Sequence, residues 1–144
     1  MIEQDTIKLL RECDAGIQMG VASIDEVLDN THSQALRQRL TDCKAEHETL
    51  QGEIQSLLHQ YHDEGKAPNP MAKGMSWVKT NVKLAMDESD HTVADLITDG
   101  CGMGVKSLNR YLNQYEAASE TAKDITKRLI RLEEQLTTDV RGYL

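Results

Sequence analysis

An all-α four-helix bundle is the fold this sequence predicts, on three observations. Apolar residues recur at alternating spacings of three and four along four stretches, each about 25 to 30 residues long, which is the mark of helices with one buried stripe. The first and last connections between these stretches are short, whereas the middle one is long. The chain of 144 residues contains no Phe, one Trp and two Pro, so its core must be Leu, Ile, Val, Met and Ala, a mix that suits helices better than sheets.

Composition also bounds the function. A net charge of −8 argues against a duplex nucleic-acid binder, which needs Lys and Arg to displace counterions, and equally against an anionic membrane surface. No run approaches the roughly 20 apolar residues of a spanning helix, and the N-terminus lacks the basic-then-apolar layout of a secretion signal, so the expected location is cytoplasmic. Cys13, Cys43 and Cys101 are far apart, odd in number and free of CxxC spacing. They read as reduced thiols filling core volume.

Taken in order, helix 1 covers Gln4 to Leu28 with the seam Ile7, Leu10, Asp14, Ile17, Val21, Ile24 and Leu28, in which Asp14 is the single polar intruder. Thr31 and Gln34 have the form of a capping box, so helix 2 begins near Ser33 and ends around Asp63 to Gly65. Its seam is Leu36, Leu40, Cys43, His47, Leu50, Ile54, Leu57 and Tyr61, broken by His47. Lys66 to Pro70 reads as a linker, and Asn69-Pro70 opens a shorter helix to about Met86 that carries Trp77, more readily a lid than a ligand stacker. Asp90 is a plausible cap for helix 3, from His91 to Tyr115. Ser119 caps helix 4, with Ala122, Ile125, Leu129, Leu132, Leu136, Val140 and Tyr143 as its seam.

Length then sets topology. A single domain is expected, with two tight antiparallel hairpins joined by a crossover over about residues 65–90 that holds the extra helix. Long helices 2 and 3 can then run parallel. Up, down, crossover, down, up is the ferritin-like arrangement; its rival is a plain up-down bundle with a kinked third helix.

Two features invite a functional reading. Gly100, Gly102 and Gly104 lie inside helix 3, each costing about 0.8 to 1 kcal/mol relative to Ala, and Gly16 and Gly20 of helix 1 share the spacing of Gly100 and Gly104. Close backbone approach between helices 1 and 3 would compensate; a space for a small ligand is the competing explanation. The second feature is the pair of seam breakers. With the turn centred near Thr31, Asp14 and His47 lie almost equally far from it and are expected to face each other. They form either a buried charge-assisted pair or, with Glu46, a degenerate metal site. Opposite them, helices 3 and 4 are expected to offer Val105, Leu108, Ala122 and Ile125.

A di-iron site of the ferritin type needs a Glu from each of two helices and Glu-x-x-His from the other two. Three residues before His47 stands Lys44, helix 4 contains no histidine, and the literal match, Glu88 with His91, falls at the crossover break. His59 and His62, one turn apart beside Asp63, would catch a metal only adventitiously.

The pieces LLRECDAGIQMG (Leu9 to Gly20), KAEHETL (Lys44 to Leu50), GMSWVKTNVKLAM (Gly74 to Met86) and VADLITDGCGMGVKSLNRYL (Val93 to Leu112) resemble, in this order, a family of uncharacterised bacterial ferritin-like four-helix bundle proteins, relatives in fold of rubrerythrin and bacterioferritin. The resemblance implies a ferritin-like scaffold. The acidic residue of helix 3 and the Glu-x-x-His of helix 4 are absent from this chain, so no cofactor is expected, with iron or manganese as the alternative. The reading that follows is a non-catalytic bundle acting through self-association or partner binding. A homodimer through leftover apolar residues such as Leu9, Met19 and Ile130 is the expected partner arrangement. The rival is a metal-dependent redox or iron-handling protein using Asp14, Glu46 and His47.

Overall fold

The computed structural model describes residues 2–63 and 89–144, and all their regular structure is helical. Helix α1 spans Ile2–Leu28, α2 Gln34–Gln60, α3 Asp90–Gln114 and α4 Glu120–Val140, the last followed by a 3-10 turn at Arg141–Tyr143. The predicted linker and crossover helix, with Trp77 and Glu88, lie outside the described residues.

Three serines start the helices. The hydroxyls of Ser33, Ser89 and Ser119 each accept the N–H three residues on, from Leu36, Thr92 and Ala122 at 3.2 Å, satisfying a donor that the first turn would leave orphaned. This corrects two expected caps. Thr31 turns its hydroxyl back to the Val27 carbonyl at 2.8 Å and closes α1 instead of opening α2. Asp90 is already helical and directs its carboxylate elsewhere.

That carboxylate helps to set the topology. The backbone N–H groups of His32 and Ser33, in the first turn, donate to Asp90 Oδ1 at 2.7 Å and Oδ2 at 3.0 Å, so α2 and α3 begin at the same end and run parallel. At the other end Ala117 and Ser119 donate to Asp5 Oδ2 at 3.1 Å and Thr6 Oγ1 at 2.8 Å. Each hairpin turn is therefore capped by the first turns of the opposite hairpin. Helix α1 packs against α2 and α3, and α4 against α3 and α2, and Asp63 and Ser89 stand at opposite ends of the bundle.

The end of α2 carries a strained residue. His62 has φ 58°, in the left-handed region, while Asp63 N–H donates to the Leu58 carbonyl at 2.9 Å and His62 N–H to that of His59 at 3.0 Å. Those are the two bonds of a Schellman stop, whose left-handed position favours glycine. His62→Gly is therefore expected to stabilise the protein by about 1 kcal/mol, read as a raised urea midpoint with unchanged slope; a lower midpoint would contradict this account of the turn.

The core is divided into two apolar clusters. One, toward the α3–α4 turn, holds Leu10, Ile17, Leu50, Ile54, Leu58, Ile125 and Leu129. The other, toward the α1–α2 turn, holds Ile24, Val27, Leu36, Leu40, Val93, Ile97 and Leu136. Leu58 rather than Leu57 is the buried seam residue of the last turns of α2. Leu9 and Ile130 are also core, 0% and 8% exposed, so they form no dimer face. Cys13, Cys43 and Cys101 are buried free thiols.

Candidate functional site

Between the two clusters lies a polar layer. His47 sits on the buried stripe of α2 at 1% exposure, and its ring bridges two helices. Nδ1 is 2.7 Å from the Cys43 carbonyl. A carbonyl can only accept, so that nitrogen carries a proton. Nε2 is 2.9 Å from Glu133 Oε1 on α4, and one further proton lies between these two atoms. The Cys43 thiol approaches Nδ1 at 3.5 Å. Burial opposes the imidazolium form, but the Cys43 side chain and then the Glu133 carboxylate, each by hydrogen bond and by charge, outweigh it and push His47 up to about 10. A shift in that direction favours an imidazolium paired with the Glu133 carboxylate at neutral pH.

Two glycines border it. A Cβ on Gly20 of α1 would lie 3.5 Å from His47 Cδ2 and Nε2 and 3.7 Å from Glu133 Oε1; one on Gly104 of α3 would lie 3.7 Å from Glu133 Cδ. Each helix thus gives one residue to the layer: glycine, histidine, glycine and glutamate. A methyl group at either position would meet the pair at ordinary van der Waals distance, so the glycines border the two polar groups without being required by them. Gly16 and Gly100 differ, for a Cβ there meets nothing within 4 Å. The expected backbone contact through all four glycines is therefore replaced by contact of Gly20 and Gly104 with the pair.

Asp14 is buried, at 3% exposure, but its partners are Gln18 Nε2 at 3.1 Å and, weakly, Gln51 Nε2 at 3.5 Å. It does not face His47. The reason is register: His47 opposite Gly20 and Asp14 opposite Gln51 both centre the first hairpin on Ser33, not Thr31. Moving the centre by two residues moves each opposite partner by four, a full turn or roughly 6 Å. The far hairpin, expected to answer with Val105, Leu108, Ala122 and Ile125, answers with Glu133.

Glu46 is exposed and lines a surface groove, so Asp14, Glu46 and His47 are not brought together. Among the described residues no three His, Cys, Asp or Glu side chains group to hold a metal ion. His59 and His62 are exposed at the end of α2. Cys101 borders the layer, and burial together with the Glu133 carboxylate pushes its thiol well above the usual range. Cys13, pushed by burial to about 11, lies 3.2 Å from Thr126 Oγ1. The Thr126 hydroxyl donates to the Ala122 carbonyl, so the thiol is the donor. Neither of these two thiols is an activated nucleophile.

A signal for Glu133 does exist in the sequence. The pattern G-x-x-M-G-V-x-S occurs at Gly16 to Ser23 and again at Gly100 to Ser107. His47 and Glu133 are 86 residues apart, the same separation as the capping serines Ser33 and Ser119. The hairpins are related by an approximate two-fold in which Gly20 corresponds to Gly104 and His47 to Glu133.

The groove between α2 and α4 consists of two adjoining hollows of about 460 and 210 Å³ that share Glu46, Leu132 and Gln135. Compared with known protein families, curated proteins and solved structures, the chain matches none. Fold and site together define a four-helix bundle with a central polar layer.

Proposed function

We propose that the protein is a non-catalytic bundle of ferritin-like arrangement that acts through self-association or partner binding. The observation that carries this reading is the complete internal use of the His47 ring: both nitrogens and a Glu133 oxygen are engaged at hydrogen-bond distance inside the core. A side chain so held sets helix register and has no coordination position left for a ligand. The parallel course of α2 and α3 supports the ferritin-like order of helices. No helix among the described residues is long and apolar enough to cross a membrane, which suits a protein that works through its polar faces.

Elemental analysis of protein purified without chelators tests the reading against the iron or manganese alternative. The expected metal content is far below one ion per chain and unaffected by His47→Ala. Stoichiometric metal that disappears in that variant would overturn the proposal.

A further inference from the structure

We propose that the His47–Glu133 layer is a pairing code between hairpins: a hairpin that brings imidazole to the bundle interior packs on one that brings carboxylate, and two alike reject each other. A code is needed because the hairpins share one plan. Gly16, Met19, Gly20, Val21 and Ser23 of α1 recur in α3 at a separation of 84 residues. The buried stripe of α2 recurs in α4 at a separation of 86, with Cys43, Leu50 and Ile54 matched by Leu129, Leu136 and Val140. Apolar stripes of one spacing do not say which hairpin belongs on which.

The turns do not say so either. Ser33 N–H donates to Asp90 Oδ2 at 3.0 Å and Ser119 N–H to Thr6 Oγ1 at 2.8 Å, and Thr6 and Asp90 are again 84 residues apart. If α1–α2 packed on a second α1–α2, Ser33 would meet Thr6 of the other copy and keep an acceptor. Surface charges are divided. The Glu53–Arg128 pair, at 3.0 and 2.8 Å, would become Glu53 with Asp42 in one like assembly and Arg128 with Asp139 in the other, the first repelling and the second attracting.

The buried layer alone is decisive in both cases. Between two α1–α2 hairpins, His47, 1% exposed, would face a second His47 and lose the Glu133 oxygen at 2.9 Å. Between two α3–α4 hairpins, Glu133 would face Glu133. Neither arrangement supplies a counter-charge, and like charges in a desolvated layer are costly.

The rule holds for a neighbour's hairpin as for the chain's own. Positions 64–88, 25 residues, have a contour of up to about 85 Å, whereas α2 is about 40 Å long. Two copies that exchange their α3–α4 hairpins therefore keep both layers intact. That exchange gives the self-association reading an interior route, while the code itself stands without that reading.

Full-length His47→Glu and Glu133→His, refolded from urea separately and as an equimolar mixture, test the code by native mass spectrometry and urea midpoints. The first chain carries two carboxylates in the layer and the second two imidazoles, so neither satisfies it alone or with its own copies. Mixed, each supplies what the other lacks. The expected product is a heterodimer, at least about tenfold more abundant than in a mixture of either variant with the parent, where exchange gains no pair. Its urea midpoint lies above those of both variants. A variant that does not fold alone leaves the test intact, since folding is then rescued in the mixture. A mixture that behaves as the sum of its two parts, or a heterodimer formed as readily with the parent, would overturn the code; neither result alters the metal content by which the proposed function is judged.

Discussion

Glu133→Ala is expected to destabilise the protein by about 3 to 5 kcal/mol, the usual cost of stranding one member of a buried ion pair. The magnitude follows from where the pair sits. His47 is 1% exposed and the Glu133 side chain 13%, so water does not replace the lost partner of either. His47→Ala is expected to cost a similar amount, since it leaves the carboxylate stranded instead. The double variant His47→Leu/Glu133→Leu is expected to lie near or above the parent in stability, because it removes the desolvation cost of both groups and joins the two apolar clusters. Exchanging the residues, His47→Glu with Glu133→His, should recover most of the loss seen in either single change, as the approximate two-fold places the two positions in equivalent settings. Urea denaturation with equal slopes measures all of these. A loss below about 1 kcal/mol for Glu133→Ala would show that the pair is not buried as described.

The second large effect is on pH. His47 has a folded pKa pushed up to about 10, against about 6.5 in an unfolded chain. A raised pKa means that the folded state holds the proton more tightly. The stabilisation is complete below about pH 6.5 and is lost as pH rises toward 10, at up to about 1.4 kcal/mol per pH unit. The buried thiols of Cys13 and Cys101, also raised, have the same sign of effect but contribute only above the unfolded thiol range near 8.5. The interval from about 6.5 to 8.5 therefore isolates the histidine. Denaturant midpoints of the parent should fall across it by a few kcal/mol equivalent, whereas those of His47→Gln should stay nearly level. Parallel curves for the two proteins would deny the proton-linked pair.

Much of the architecture was legible in the residues because helix seams are a local signal. The four long helices, the Ser119 cap, the two tight turns and the intrusions of Asp14 and His47 into the buried stripes follow from spacing alone. What failed was anything requiring registration between helices. A hairpin centre misplaced by two residues paired Asp14 with His47 and hid Gly20 as the histidine's neighbour. Glu133 was missed for a different reason: flanked by Leu132 and Glu134 in a strongly amphipathic helix, it looks like a solvated residue, and only the repeat of G-x-x-M-G-V-x-S and the shared spacing of the capping serines equate it with His47. Of the glycines expected to bring α1 and α3 together, only Gly20 and Gly104 have a neighbour, and it is a side chain from one of the other two helices, which no property of α1 or α3 could reveal.

The pair across the two hairpins is the claim on which the rest depends, and the ring nitrogens of His47 report on it directly. In a ¹⁵N-resolved titration from about pH 6 to about pH 11, both nitrogens should carry protons at neutral pH. The midpoint should lie near 10, and Nδ1 should keep its proton afterwards because the Cys43 carbonyl holds it. A midpoint near the ordinary 6.5, or a neutral ring with the proton on Nε2, would contradict the account.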